Sequence, residues 1–204
     1  NKSGIPTVNG SIVFDERFLG KPLVFCGTGG IMPREIRGEP SHVKEARPGD
    51  MVVMCGGRIG KDGIHGATFS SEELHEGSPA TAVQIGDPIT QKRMTDFLLE
   101  ARDRGLYRCI TDNGAGGLSS SVGEMARGPG GAEIHLEAAP LKYPGLQPWE
   151  ILLSEAQERM TLAVQPERLK EFLRLAQQMS VEATVLGTFT AERTFHVFYQ
   201  GRTV

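Results

Sequence analysis

The run Ile110-Thr-Asp-Asn-Gly-Ala-Gly-Gly-Leu-Ser-Ser-Ser121 constrains this chain more than any other stretch. It reads as a strand that ends in an acid, then a tight glycine turn, then the first turn of a helix. That order brings one carboxylate and several unpaired backbone N–H groups to one point. A carboxylate can hold a divalent cation. Helix-start N–H groups can hold a phosphate or carboxylate. A phosphorylated ligand with magnesium would satisfy both. An ordinary strand-to-helix turn with a capping acid gives the same pattern. The run is not a Walker A loop, because no Gly-Lys-Ser/Thr follows, and it is not the G-x-G-x-x-G of dinucleotide-binding folds.

The elements around this run define the fold class. Ser11–Asp15 and Pro22–Gly27 are β-branched and aromatic runs flanked by glycine, which predicts strands. Residues 31–50 are polar and proline-punctuated, with a short strand conceivable over Ser41–Ala46. Met51–Cys55 is a continuous apolar run, as in a strand buried on both faces. Gly56–Ser71 reads as loop, and Pro79–Val83 as the start of a short helix. Thr90–Arg104 carries Met94, Phe97, Leu98 and Ala101 on one stripe, which predicts a helix with Thr90 as its cap and Gly105 at its end. A strand over Leu106–Thr111, a helix over Ser119–Ala126 and a strand over Ala132–Leu136 follow. Trp149–Leu153 reads as a short helix and Glu158–Val164 as a strand. Pro166–Met179 predicts a second amphipathic helix, with Pro166 in its first turn. Ala183–Phe189 and Thr194–Tyr199 read as closing strands that could form a hairpin. Strands and helices mix without strict alternation, so the expected fold is an α+β domain with a mixed sheet covered by helices.

With 204 residues, 39% of them apolar and 23% charged, the chain can bury a sizeable core. A formal net charge of -3 argues against nucleic-acid binding through a broad basic face. Most of the 26 glycines fall in a few runs, which read as built loops. Cys26, Cys55 and Cys109 each lie in an apolar stretch without a C-x-x-C pair, so three buried free thiols in a reducing compartment are expected. No apolar run approaches the ~20 residues of a membrane span, and no signal peptide is evident. The chain opens on Asn1-Lys-Ser-Gly-Ile-Pro-Thr rather than Met, which reads as the middle of something longer.

Three further stretches carry polar chemistry. Gly56-Gly-Arg-Ile-Gly-Lys-Asp-Gly-Ile-His-Gly-Ala-Thr-Phe-Ser-Ser71 follows the apolar run. Its Arg58, Lys61 and His65 could bind an anion, or could simply be solvated. Gln84-Ile-Gly-Asp-Pro88 offers a glutamine amide that can read a ligand, although Asp87-Pro88 is also ordinary turn chemistry. In Leu153-Ser-Glu-Ala-Gln-Glu-Arg-Met160, an extended backbone would put Glu155 and Gln157 on one side. Glu158 and Arg159 could form a surface pair worth little. Trp149 reads as a core or rim anchor. The five histidines show no zinc-ligand spacing.

Together these four stretches, in order, resemble formylglycinamide ribonucleotide amidotransferase, the synthetase of the fourth step of purine biosynthesis. The resemblance covers nearly the whole chain. Within that family the stretch is similar to a C-terminal-type domain of the aminoimidazole ribonucleotide synthetase superfamily, specifically the first of two such domains. The resemblance implies a three-layer α/β/α arrangement with a mixed sheet, in a single domain over residues 1–204. It implies an ATP-dependent ligase, with Mg2+, that converts formylglycinamide ribonucleotide to the amidine using ammonia from a glutaminase. By the same carry-over, Gln84 is a substrate-binding residue and Asp112 a magnesium ligand. Glu155, Ala156 and Gln157 occupy the family's substrate-binding tripeptide, where Ala156 replaces the usual Ser and removes one hydroxyl. Asn113 stands where Leu is common.

The family's catalytic histidines and ATP-binding lysine have no counterpart here and belong to a preceding N-terminal-type domain, so this chain alone is expected to bind substrate weakly and not turn over. The implied partners are that domain and the glutaminase, with a homodimer left open, no nucleic acid and no membrane, in the cytoplasm. Two other readings compete. One is a non-catalytic nucleotide-holding module. The other is a relative acting on another substrate, such as selenophosphate synthetase, thiamine-phosphate kinase or a hydrogenase-maturation protein, which share the fold but not Ser154-Glu-Ala-Gln-Glu-Arg-Met160.

Overall fold

The computed structural model describes residues 4–20, 22–72, 77 and 80–204. The elements in chain order are β1 (Glu35–Ile36), β2 (Glu39–Pro40), β3 (Met51–Gly56), α1 (Gly66–Ser71), α2 (Pro88–Asp103), β4 (Cys109–Asp112), α3 (Gly117–Met125), β5 (Gly131–His135), α4 (Pro148–Leu153), β6 (Arg159–Val164), α5 (Pro166–Gln178), β7 (Ala183–Thr190), β8 (Phe195–Tyr199) and β9 (Arg202–Thr203). Seven strands form one sheet in the order β4-β6-β3-β7-β5-β8-β9. It is mixed because β5 and β8 run parallel while the other pairs are antiparallel.

The apolar run of β3 explains the layering. Successive side chains of a strand point to opposite faces, and here both faces are buried. Val52 and Met54 join one core with Leu118 and Val122 of α3 and Ile151 of α4. Val53 and Cys55 join the other with Phe97 of α2 and Phe172 of α5. The Phe97 and Phe172 rings meet edge to face, 5.0 Å between centroids. The result is a three-layer α/β/α fold, as expected. No helix among the described residues is long and apolar enough to cross a membrane.

Several elements differ from the sequence reading. Residues 11–15 and 22–27 are not strands. They carry apolar side chains on successive positions but find no sheet edge among the described residues, and Phe14 and Phe25 are exposed. Cys26 lies in this exposed arm, so only Cys55 and Cys109 are buried thiols. No strand forms over 41–46. Instead β1 and β2 pair around Arg37 and Gly38, whose positive φ values suit a tight two-residue hairpin turn. The expected β7–β8 hairpin is absent because β5 lies between them. Helix α2 begins at Pro88, not Thr90, because Asp87 caps it by accepting the N–H groups of Ile89 (3.0 Å) and Thr90 (3.4 Å). The loop after β3 ends in helix α1. Near the expected short helix, Ala80–Ala82 forms a 3-10 turn, and Pro79 lies outside the described residues.

Candidate functional site

The end of edge strand β4 and the start of its neighbour β6 feed the site. Strand β4 ends at Asp112, opposite Met160 of β6, and the chain then turns through Gly114–Gly116 into α3. Asp112 is exposed, and its Oδ1 accepts the Gly114 N–H at 2.9 Å, which fixes the carboxylate over the turn. Gly117, at φ +55°, lies directly against the end of α4. A Cβ there would overlap the carbonyl oxygen of Ser154, so only glycine lets the two segments touch.

The segment 154–158 is neither helix nor strand. Ser154 is fully buried and its Oγ donates to the Gly60 carbonyl at 2.7 Å. Glu155, also buried, gathers three partners. Its Oε2 accepts the Ala67 N–H at 2.8 Å and lies 3.5 Å from the Gln84 Nε2 donor. Its Oε1 accepts the Gly116 N–H at 3.3 Å. One carboxylate thus ties the start of α1, the Gln84 segment and the Asp112 turn together. At Gly66 a Cβ would crowd both the Gln84 amide and this carboxylate. Ala156 is buried behind the segment, and its N–H donates to the Ser154 Oγ at 3.2 Å.

Gln157 is half-buried and faces a cleft of about 380 Å³ that is also lined by Gly56, Ile85, Arg93, Lys142 and Glu158. Its Nε2 donates to the Glu155 carbonyl at 3.1 Å. Glu155 and Gln157 therefore do different things: the first bolts loops together, the second lines open space. The same-side expectation assumed that residues 154–158 are extended throughout, and the left-handed φ of +56° at Glu158 departs from that. Partial burial raises the Glu158 carboxyl above its ordinary pKa, with the backbone N–H of Asp87 opposing that shift.

Glu158 and Arg159 are not a surface pair. Arg159 is buried, its Nε donates to the Ala156 carbonyl at 2.8 Å, and its Nη2 donates to the Ser154 carbonyl. Burial pushes its pKa down to about 10. Nor are the loop cations free: Arg58 pairs with Glu182 at 2.8 Å and Lys61 with Glu150 at 3.1 Å. His65 is exposed in a left-handed conformation before α1. Trp149 is half exposed, a rim residue rather than core.

Beneath the Asp112 turn lies a buried polar cluster that sequence reasoning missed. The Asn113 Oδ1 accepts from Ser121 Oγ (2.5 Å) and Thr161 Oγ1 (2.8 Å), while its Nδ2 has no partner among the described residues. Arg159 was also misread. Its one available signal is its place directly before the mostly apolar run Met160–Val164.

The donor set can be tested against a metal ion. Among the described residues no three His, Cys, Asp or Glu side chains gather into a metal cage. An exposed carboxylate pinned by one backbone N–H fits magnesium, which keeps most of its waters and takes one or two carboxylates.

The profile of the AIR synthase related protein, C-terminal domain, matches residues 47–200. The chain belongs to this family. It is 40% identical over its full length to the phosphoribosylformylglycinamidine synthase subunit PurL of Thermoplasma acidophilum, and 43% identical over 93% of its length to that of Methanopyrus kandleri. It spans 27% and 26% of those relatives, about a quarter of their length. A structure of Thermotoga maritima PurL complexed with FGAR superposes on 79% of this chain, and on 27% of its own, with TM-score 0.74 and 37% identity. Escherichia coli HypE, a hydrogenase maturation protein, superposes on 81% of the chain and 52% of its own, with TM-score 0.58 but only 18% identity, and shares the fold alone.

Proposed function

We propose that this chain is the substrate- and magnesium-binding domain of the ATP-dependent ligase that converts formylglycinamide ribonucleotide and glutamine-derived ammonia to formylglycinamidine ribonucleotide in purine biosynthesis. The observation that carries this reading is the convergence on the Glu155 carboxylate. Gln84, the start of α1 and the Asp112 turn are far apart in sequence yet share one acceptor group. The PurL relatives and the FGAR-bound PurL structure support the choice of substrate. PurL structures complexed with ATP support use of that nucleotide.

In this reading Gln84 and Gln157 present amides to the substrate, which can both donate and accept. Glu155 and Ala156 contribute through the backbone they hold in place, since both side chains are buried. The loss of the family's Ser hydroxyl at position 156 then costs little, because that position is buried. Asp112 holds the magnesium ion, which when bound would neutralise phosphate charge. ATP and the catalytic groups come mainly from an N-terminal-type domain of the same enzyme, and ammonia from a glutaminase. A structure of PurLQS from Thermotoga maritima is consistent with such an assembly. The whole operates in the cytoplasm.

Calorimetric titration of formylglycinamide ribonucleotide into the chain, with and without magnesium, tests the reading. Saturable binding that weakens in Gln84→Ala and Gln157→Ala is expected, with no ATP-dependent product from this chain alone. Binding unaffected by either substitution would reject the assignment.

A further inference from the structure

Arg159 stands out among the buried groups because no carboxylate pairs with it directly; the nearest acid to act on it, Asp62, is itself bound to Lys142 at 2.8 Å. It is 3% exposed, and no carboxylate lies within ion-pair distance of its guanidinium among the described residues. Its partners are two backbone carbonyls and, at 3.8 Å from Nη1, the Met54 sulfur. Burying an arginine without a direct ion pair is costly, and an apolar side chain often serves a core as well or better. A stability role alone therefore does not account for it.

Its backbone and side chain together supply another account. Arg159 opens β6, where it pairs with Gly56 of β3. Its carbonyl accepts the Asn113 N–H at 3.1 Å, next to Asp112. Its side chain turns back along the chain and grips the carbonyls of Ser154 and Ala156, one on each side of Glu155. A guanidinium can make this two-point grip because its donors form a rigid planar fork, whereas a lysine ammonium cannot span both acceptors in fixed geometry. Carbonyls at 154 and 156 fixed in this way set the orientation of the peptide units that carry Glu155 and Gln157. The same residue thus references both the Asp112 turn and the Gln157 face of the cleft to one strand of the sheet.

Other candidates carry less. The cleft beside Gln157 has cations Arg58, Arg93 and Lys142 but equally many acids, Asp87, Glu158 and Glu182, so its charge selects no ligand class. The apolar side chains of residues 5–20 and 22–32, Phe14 and Phe25 among them, are exposed, but nothing in the structure shows what covers them.

The geometry points to Arg159 as the positioning residue of the substrate site, holding Ser154–Gln157 in the shape that presents the Gln157 amide through its fork on the Ser154 and Ala156 carbonyls. This rests on the proposed function for the ligand, but not for the geometry. Two variants in the full-length protein separate the possibilities. Arg159→Met keeps the apolar stem without the fork, and Arg159→Lys keeps the charge without it. Amide hydrogen exchange of the peptide covering residues 154–158 is read first, because it needs no ligand. Both variants are expected to exchange there at least tenfold faster than the wild type, with the rest of the sheet unchanged.

Substrate titration is read second. The dissociation constant should rise about tenfold in each variant, and Gln157→Ala should add little on top of Arg159→Met, since the amide is already misplaced. Unchanged exchange over 154–158 in a folded variant overturns the positioning role, as does wild-type affinity in Arg159→Lys. If Arg159→Met does not fold, Arg159→Lys alone decides by the same two measurements. Failure of the wild type to bind substrate, with the exchange result intact, rejects the proposed function and leaves the positioning role standing.

Discussion

Replacing Glu155 by Gln removes almost no volume yet strikes the point where the site is joined. A carboxylate offers two acceptor oxygens and no donor, and here all three neighbours are donors: the N–H groups of Ala67 and Gly116 and the amide nitrogen of Gln84. Glutamine keeps one oxygen and places an NH2 where the other stood. Whichever way the amide turns, it faces at least one donor with a donor. The Ala67 bond, at 2.8 Å, is the short charge-assisted one and on its own is worth about 1.5–3 kcal/mol. The 3.3 Å and 3.5 Å contacts add less. Water can reach Ala67, which is exposed, and offsets part of the loss. The net expectation is a loss of about 2 kcal/mol in unfolding free energy, a large share of a domain's ordinary margin. Urea melts at pH 7 measure it as a lower midpoint with an unchanged slope. A variant within about 0.5 kcal/mol of the wild type, the range of unremarkable surface substitutions, would refute the claim that this carboxylate joins the three segments.

Asn113→Leu removes a buried amide whose nitrogen has no partner and leaves Ser121 and Thr161, 3.0 Å apart, to bond each other. Stability equal to the wild type or higher by about 1 kcal/mol is expected from chemical denaturation, and a loss above about 2 kcal/mol would contradict it. Asp87 caps α2, and its bonds to Thr90 and Ile89 hold its carboxyl below the ordinary value of 3.8. Its stabilisation is therefore complete above that value and disappears as pH falls through the lowered one. The melting-temperature gap between wild type and Asp87→Ala should close in acid, and a gap constant with pH would be inconsistent with the cap. Burial raises the Cys55 and Cys109 thiols to about 12 and about 11, while Cys26 is exposed. A thiol reagent at pH 8 should label one cysteine in the native chain and three after unfolding, whereas rapid labelling of all three in the native state would contradict the packing of β3 and β4.

How much of this was legible in the sequence depended on the range of the interaction. Helices α2 and α5 were read because their stripes are local and strongly periodic. The β3 run was read because burial on both faces leaves no alternation. The β7–β8 hairpin was misread because sequence adjacency does not reveal that β5 inserts between them. The strands expected over 11–15 and 22–27 failed for a related reason: propensity names a strand only when an edge is there to pair with it.

At the site, Asp112, Gln84 and Gln157 could be picked out as candidates by residue type and motif. Nothing in the spacing showed that Glu155 accepts from the start of α1, 88 positions away, or that Arg159 is buried. A charged residue beside an acid looks like a surface pair until its burial is known.

The account stands or falls on whether formylglycinamide ribonucleotide contacts the surface built from Gln84, the Gly114–Gly116 turn and Gln157. Backbone amide NMR shifts of the labelled chain on titration with that ligand and magnesium report it directly. The largest changes are expected at Ala67, Gly114, Gly116 and Gln157, with those at Gly114 dependent on magnesium. Shifts clustered elsewhere, or a saturating ligand that leaves all four amides unmoved, would contradict the assignment of the substrate site to this chain.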